Sequence, residues 1–193
     1  MDNQLKLISD SLGGEKIKFD EMVSDHTALK LGGPAKLFFV ATTQTEIKKI
    51  VGMARELKVP FLIFGSGSKM IVSEYGFDGV VIKNRTRNIV VVGVKGKVLK
   101  KGIGVDEVSV EVESGVFISD LVEFLKKQSL NTSQIDNLSG TVGGNLFTSI
   151  SLQERVQKIK VLREDELEEI NPEELSLGRH IILSSVFKFK SLT

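Results

Sequence analysis

At 193 residues the chain can form one good-sized domain or two small lobes sharing a core, and 41% apolar with 26% charged residues is ordinary for a globular protein. Lys and Arg total 26 against 25 Asp and Glu, so no general charge draws the chain to nucleic acid or to an anionic membrane. Any phosphate recognition must be local, and with no cysteine and only two histidines a disulfide framework, a thiolate metal site and an iron–sulfur cluster are excluded and a catalytic metal is not expected.

The N-terminus, Met1-Asp2-Asn3-Gln4, has no basic region leading into an apolar stretch, and no apolar run approaches the ~20 residues of a membrane span. A cytoplasmic protein is the expectation. The first 25 residues are polar and weakly patterned, reading as a short helix followed by a loop. Leu37-Phe38-Phe39-Val40 reads as a strand. Thr43 and Glu46 fit a capping box ahead of a helix whose Ile47, Ile50, Val51, Ala54 and Leu57 share a face. Phe61-Leu62-Ile63-Phe64, wholly apolar, suits a short strand buried on both faces.

Met70-Ile71-Val72 and Val80-Val81-Ile82 follow as predicted strands, separated by the turn-like Tyr75 to Gly79. Ile89 to Val94 is β-branched, and Gly93 to Gly104 carries glycines expected at hairpin turns. Val108, Val110 and Val112 alternate with Ser109, Glu111 and Glu113, which predicts a half-buried strand. Ser119 is the expected cap of a helix with Ile118, Leu121, Val122 and Leu125 on one face. Val156 to Leu162 and Ile181 to Phe189 are predicted closing strands around the acidic Glu164 to Glu174, read as a solvated turn or short helix. This order predicts an α+β fold with two lobes, 1–85 and 86–193, and a boundary near Asn84 to Asn88.

Two glycine-rich segments carry the chemistry. Gly65-Ser66-Gly67-Ser68-Lys69 directly follows the apolar run, where converging main-chain N–H groups and two hydroxyls can hold an anion. Taken alone, this reads more readily as a plain turn. It is neither a Walker loop nor a dinucleotide fingerprint, because Gly-Lys-Ser/Thr is missing and no amphipathic helix opens here. The second segment, Gly140-Thr141-Val142-Gly143-Gly144, has a glycine density that favours close approach of a ligand.

Both segments, with Leu31-Gly32-Gly33-Pro34-Ala35 upstream, Gly76-Phe77-Asp78-Gly79-Val80-Val81-Ile82 between them and the Ser114-Gly115-Val116 turn, resemble the UDP-N-acetylenolpyruvoylglucosamine reductase family in the same order. The resemblance covers Leu29 to Phe189. It implies a two-lobed FAD-binding fold of the vanillyl-alcohol oxidase type. Non-covalent FAD would have its pyrophosphate held by Gly65, Ser66, Gly67, Ser68 and Lys69 and faced by Gly140, Thr141, Val142, Gly143 and Gly144. NADPH is the family's reductant and peptidoglycan precursor synthesis its setting.

The chain departs from the family at Lys69, where Asn is usual, at Ser139, where Pro is usual, and over Leu146 to Ile150, where the family's flavin-facing stretch is not kept. No Tyr-Arg pair is present; the matching position for the family's catalytic Arg is Arg179, in Leu177-Gly178-Arg179-His180. The family's proton-donating Ser and its Glu belong to a substrate domain expected to be absent. The resemblance therefore implies a flavin domain that does not complete the reductase reaction alone. Two alternatives stay open: a scaffold that binds no flavin, and a flavin oxidoreductase with another substrate. His26 and His180 read as surface or cap residues rather than flavin attachment points, and no nucleic-acid or membrane partner is expected.

Overall fold

In the computed structural model, which describes residues 2–13, 16–99 and 102–192, Thr43 caps a helix as its spacing predicts. The Thr43 hydroxyl accepts from Glu46 N–H at 3.1 Å while a Glu46 carboxylate oxygen accepts from Thr43 N–H at 3.2 Å. The helix this starts, α2 (Gln44–Glu56), belongs to the first of two units, Met1–Thr86 and Arg87–Thr193. The first unit also holds α1 (Asp2–Leu12) and strands β1 (Ile17–Met22), β2 (Pro34–Ala41), β3 (Phe61–Phe64) and β4 (Phe77–Asn84). They pair in the order β1-β2-β4-β3, with β2, β4 and β3 parallel and β1 antiparallel to β2.

Side chains alternate across this sheet. Phe38 and Val81 join Val23, Ala35, Phe64 and Val72 in one apolar cluster. Leu37, Phe39, Val80 and Ile82 face the other way and are fully buried, as are Ile47, Ile50, Val51 and Ala54 of α2, which packs on β2 and β4. Helix α1 lies against α2, and Gln4 Nε2 donates to Leu57 O at 2.8 Å.

The second unit is an antiparallel sheet of β5 (Ile89–Leu99), β6 (Gly102–Glu113), β7 (Val156–Arg163), β8 (Glu166–Ile170) and β9 (Ile181–Lys190), in the order β5-β6-β9-β7-β8. Helices α3 (Ile118–Lys127), α4 (Val142–Leu146) and α5 (Ile150–Gln153) complete it. Val108, Val110 and Val112 point inward as their alternation predicts, meeting Ile118, Leu121, Leu125, Phe187 and Phe189. Among the described residues no helix is long and apolar enough to cross a membrane.

Several expectations are corrected. The leading segment holds β1 as well as a helix; β1 is an edge strand with little burial, and its alternation is only the short Ile17-Lys18-Phe19-Asp20. Phe61 to Phe64 forms β3 at the opposite edge, half-buried apart from Phe64, rather than a strand covered on both faces. Met70 to Val72 is irregular: Val72 is a core side chain, and the adjacent main chain is held by Gly33 N–H donating to Ser73 O at 2.8 Å. Phe77 to Gly79 begin β4 and are not part of a turn.

In the second unit, Gly93 and Gly96 lie inside β5 at its register shifts against β6, where a bulge rather than a turn uses them. Residues 100 and 101, within the predicted turn segment, lie outside the described residues. Phe117, not Ser119, is the N-cap of α3, and no side chain caps it. The acidic run does hold a turn at Glu164 and Asp165 and a short 3-10 helix, Pro172–Glu174, but between them lies strand β8, with cross-strand pairs from Arg163 Nη2 to Glu168 at 2.8 Å and from Lys158 Nζ to Glu169 at 2.9 Å.

Candidate functional site

In the first unit the parallel strands β2, β4 and β3 end together, and Phe64 is in register with Lys83 of β4. The chain leaves β3 at Gly65, so the glycine–serine loop sits at the carboxyl end of a parallel sheet, the usual place for ligands in such sheets. Gly67 has φ +71°, and its carbonyl accepts from Ala28 N–H at 3.1 Å. A Cβ there would stand 2.4 Å from His26 O and 2.9 Å from Thr27 Cα, so only glycine fits. Ser66 and Ser68 hydroxyls lie 2.9 Å apart. Among the described residues the N–H groups of Gly65, Ser66 and Gly67 donate to no partner. Consecutive donors through a left-handed glycine make an anion-binding concavity. Lys69 follows on the exposed side, its ammonium held below the usual lysine range by partial burial.

The upstream glycine motifs have a packing role. A Cβ on Gly33 would fall 2.1 Å from Glu74 O, one on Gly76 2.2 Å from Pro34 O, and one on Gly79 2.2 Å from Pro60 O. Gly33 and Gly76 let the Gly32-Gly33-Pro34 segment lie against the turn before β4, and Gly79 lets β4 pass close to Pro60 ahead of β3.

In the second unit Thr141 pairs with Phe117 in an antiparallel bridge. Val142 N–H donates to Val116 O at 2.8 Å and Gly143 N–H to Ser114 O at 2.9 Å. Those two donors are therefore committed to their own unit. Gly143 is needed for this approach, since a Cβ would meet Ser114 Cβ at 2.9 Å. Gly144 has no such constraint; its nearest neighbour would be Thr141 Oγ1 at 3.6 Å. Among the described residues Gly140, Thr141 and Gly144 N–H groups donate to no partner, and Gly140 has φ +88°. Asn145 Nδ2 fixes the segment from within, donating to Ser139 O at 2.8 Å and Thr141 O at 2.9 Å. Phe147 packs against the apolar core of its unit.

Arg179 is exposed in the turn before β9, with no side-chain partner among the described residues. His180 Nδ1 accepts from Ser176 N–H at 3.1 Å, a local cap as expected. His26 differs from a surface residue: it is half-buried, stacks on Phe38 at 4.3 Å between centroids, and lies 2.9 Å from a Glu21 carboxylate oxygen and 3.1 Å from Lys83 Nζ. Sequence reading missed this chain of contacts, whose only signal is a lysine ending the apolar run Val80-Val81-Ile82.

Residues 35–159 match the family described as FAD binding domain. The chain belongs to that family. Its relatives include UDP-N-acetylenolpyruvoylglucosamine reductase of Caldanaerobacter subterraneus, 28% identical over 78% of this chain and 47% of the relative. The same-named protein of Clostridium botulinum is 27% identical over 96% of this chain and 62% of the relative. The chain thus spans about half to three-fifths of the curated relatives it matches. Among solved structures, the reductase of that name from Thermus caldophilus superposes with TM-score 0.60 at 19% identity, over 88% of this chain and 59% of that one. Alkyldihydroxyacetonephosphate synthase gives 0.70 at 17% identity, over 100% and 44%. At those identities the superpositions establish the fold, which is the α+β FAD-binding type shared by the reductase and the vanillyl-alcohol-oxidase group. Among the described residues the loop at Gly65 offers unpartnered donors and a contact only glycine permits, a donor set of the kind an anion such as the diphosphate of FAD needs.

Proposed function

We propose that this chain binds FAD non-covalently, as the flavin-binding part of a protein akin to the UDP-N-acetylenolpyruvoylglucosamine reductases. The observation that carries the reading is the run of N–H groups at Gly65, Ser66 and Gly67, unpartnered among the described residues, at the carboxyl end of three parallel strands. Ser66, Ser68 and Lys69 add polar groups around that run. From the second unit, Gly140, Thr141 and Gly144 offer donors, whereas Val142 and Gly143 shape the loop because their own donors are engaged. The domains divide the work accordingly: residues 1–85 bring the first loop and 86–193 the second.

Bound FAD supplies hydride acceptance and donation, with NADPH as the reductant. The protein's part is to hold the diphosphate with a chain whose formal net charge is only +1. Arg179, exposed and with no side-chain partner among the described residues, is the residue proposed to meet a reacting anion. On this reading the chain does not carry the full reductase reaction by itself, and it acts in the peptidoglycan-precursor setting of its relatives.

An absorbance spectrum of the purified protein, before and after adding FAD and desalting, tests the reading. Flavin bands retained at about one equivalent support it. A protein that stays colourless after FAD is added overturns it in favour of a scaffold that binds no flavin.

A further inference from the structure

Beside the end of the first unit's parallel sheet stand cations that make no ion pair among the described residues. Lys83 is the register partner of Phe64, the residue before Gly65. It extends from the same face as Val81, two residues earlier on β4. Its Nζ donates to His26 Nδ1 at 3.1 Å. An ammonium can only donate, so Nδ1 is the bare nitrogen and Nε2–H donates to Glu21 Oε1 at 2.9 Å. The ring is fixed by stacking on Phe38, and the His26 carbonyl is the atom that forbids a side chain on Gly67. One residue therefore touches both the ammonium and the loop.

Lys30 and Arg85 stand close enough that their like charges, after burial, help to hold Lys83 below the usual lysine range. Among the described residues none of Lys30, Lys83 and Arg85 makes an ion pair. A partly desolvated ammonium beside two further cations is an unfavourable arrangement that a bound anion would relieve.

We propose that Lys83, positioned by His26 and backed by Lys30 and Arg85, is the cationic partner of the diphosphate at the Gly65 to Lys69 loop. This rests on the FAD reading and alters one part of it: recognition combines main-chain donors with a local positive charge. The charge comes from a strand end that composition cannot reveal.

The test measures FAD affinity by flavin fluorescence and inorganic pyrophosphate affinity by calorimetry, at low and high salt. It compares wild type with Lys83→Met, Lys83→Arg and His26→Gln. Lys83→Met is expected to weaken both ligands about tenfold to a hundredfold and to flatten the salt dependence, with Lys83→Arg recovering much of the loss. His26→Gln, which leaves the charge but loosens it, is expected to cost roughly threefold to tenfold with the salt dependence kept. Lys30→Met, at an exposed position, is expected to weaken both ligands in the same direction and carries the test if Lys83→Met does not fold. Equal FAD affinity in wild type, Lys83→Met and Lys30→Met overturns the cation proposal and leaves the FAD reading standing. Wild type that binds pyrophosphate through Lys83 but no FAD keeps the cation site and ends the FAD reading. Binding of neither ligand ends both.

Discussion

The α-carbon of Gly67 lies against the carbonyl of His26, so closely that an added Cβ would stand 2.4 Å from that oxygen. Gly67→Ala must both clash and adopt φ +71°, a left-handed value that costs a non-glycine residue free energy. The substitution is expected to destabilise the first unit by roughly 2–4 kcal/mol in urea titration and to abolish FAD retention. Wild-type stability in Gly67→Ala would show that the loop does not hold this conformation.

Gly143 and Gly144 separate packing from binding. A Cβ on Gly143 meets Ser114 Cβ at 2.9 Å, whereas one on Gly144 meets only Thr141 Oγ1 at an ordinary 3.6 Å. Gly143→Ala is expected to lower stability by about 1–3 kcal/mol. Gly144→Ala should leave stability unchanged or raise it by up to ~1 kcal/mol, as an alanine for a helical glycine does. If FAD approaches here, Gly144→Ala weakens its binding about tenfold without loss of stability. Unchanged affinity would remove Gly144 from the site.

Thr43 and Glu46 close a reciprocal cap at the start of α2, whose apolar face is fully buried on the first sheet. Thr43→Ala removes the acceptor for Glu46 N–H and is expected to cost about 1 kcal/mol. Thr43→Ser keeps that acceptor and should cost much less. A denaturation midpoint for Thr43→Ala equal to that of wild type would contradict the cap's contribution.

Acid should weaken the first unit through two glutamates. Hydrogen bonds from Lys18 and His26 hold Glu21 below the usual carboxylate range. For Glu46, burial acts to raise the value, but hydrogen bonds from Lys16 and from the Thr42 main chain and hydroxyl prevail and lower it. A carboxylate whose folded value is depressed contributes stability above its unfolded value of about 4.3 and loses it as pH falls through the folded value. The urea midpoint should therefore fall as pH drops below about 5, and Glu46→Gln should reduce that dependence. A Glu46→Gln protein with the wild-type pH profile would rule out its share.

Arg179 is exposed, with no side-chain partner among the described residues, so Arg179→Ala should shift stability by no more than about 0.5 kcal/mol. If it serves the reaction, FAD binding stays intact while turnover with a reducible substrate falls. Equal turnover in wild type and Arg179→Ala would return it to the ordinary surface.

Local patterns were legible wherever neighbours in sequence complete the interaction. The Thr43 cap closes within a single turn, and the valines of β6 declare one buried face by alternation. The motif order from Gly32 to Gly144 identified the FAD-binding fold. Strands β1 and β8 were not legible, because an edge strand stabilised by cross-strand pairing or ion pairs need not alternate. The bulges of β5 were hidden for a similar reason: glycine marks both a bulge and a turn, and pairing with β6 decides between them.

The sequence by itself determined that main chain, not composition, would have to recognise any phosphate, since charge balances and glycines concentrate in two segments. Only the tertiary structure decided which donors are available. Gly143 N–H is taken by Ser114 O, while Gly65, Ser66 and Gly67 N–H groups have no partner among the described residues. It also brought Lys83 and His26 to the strand end beside the loop. A hydrogen-bonding group is spent or left open by atoms that folding delivers from elsewhere in the chain, and no local pattern records their arrival.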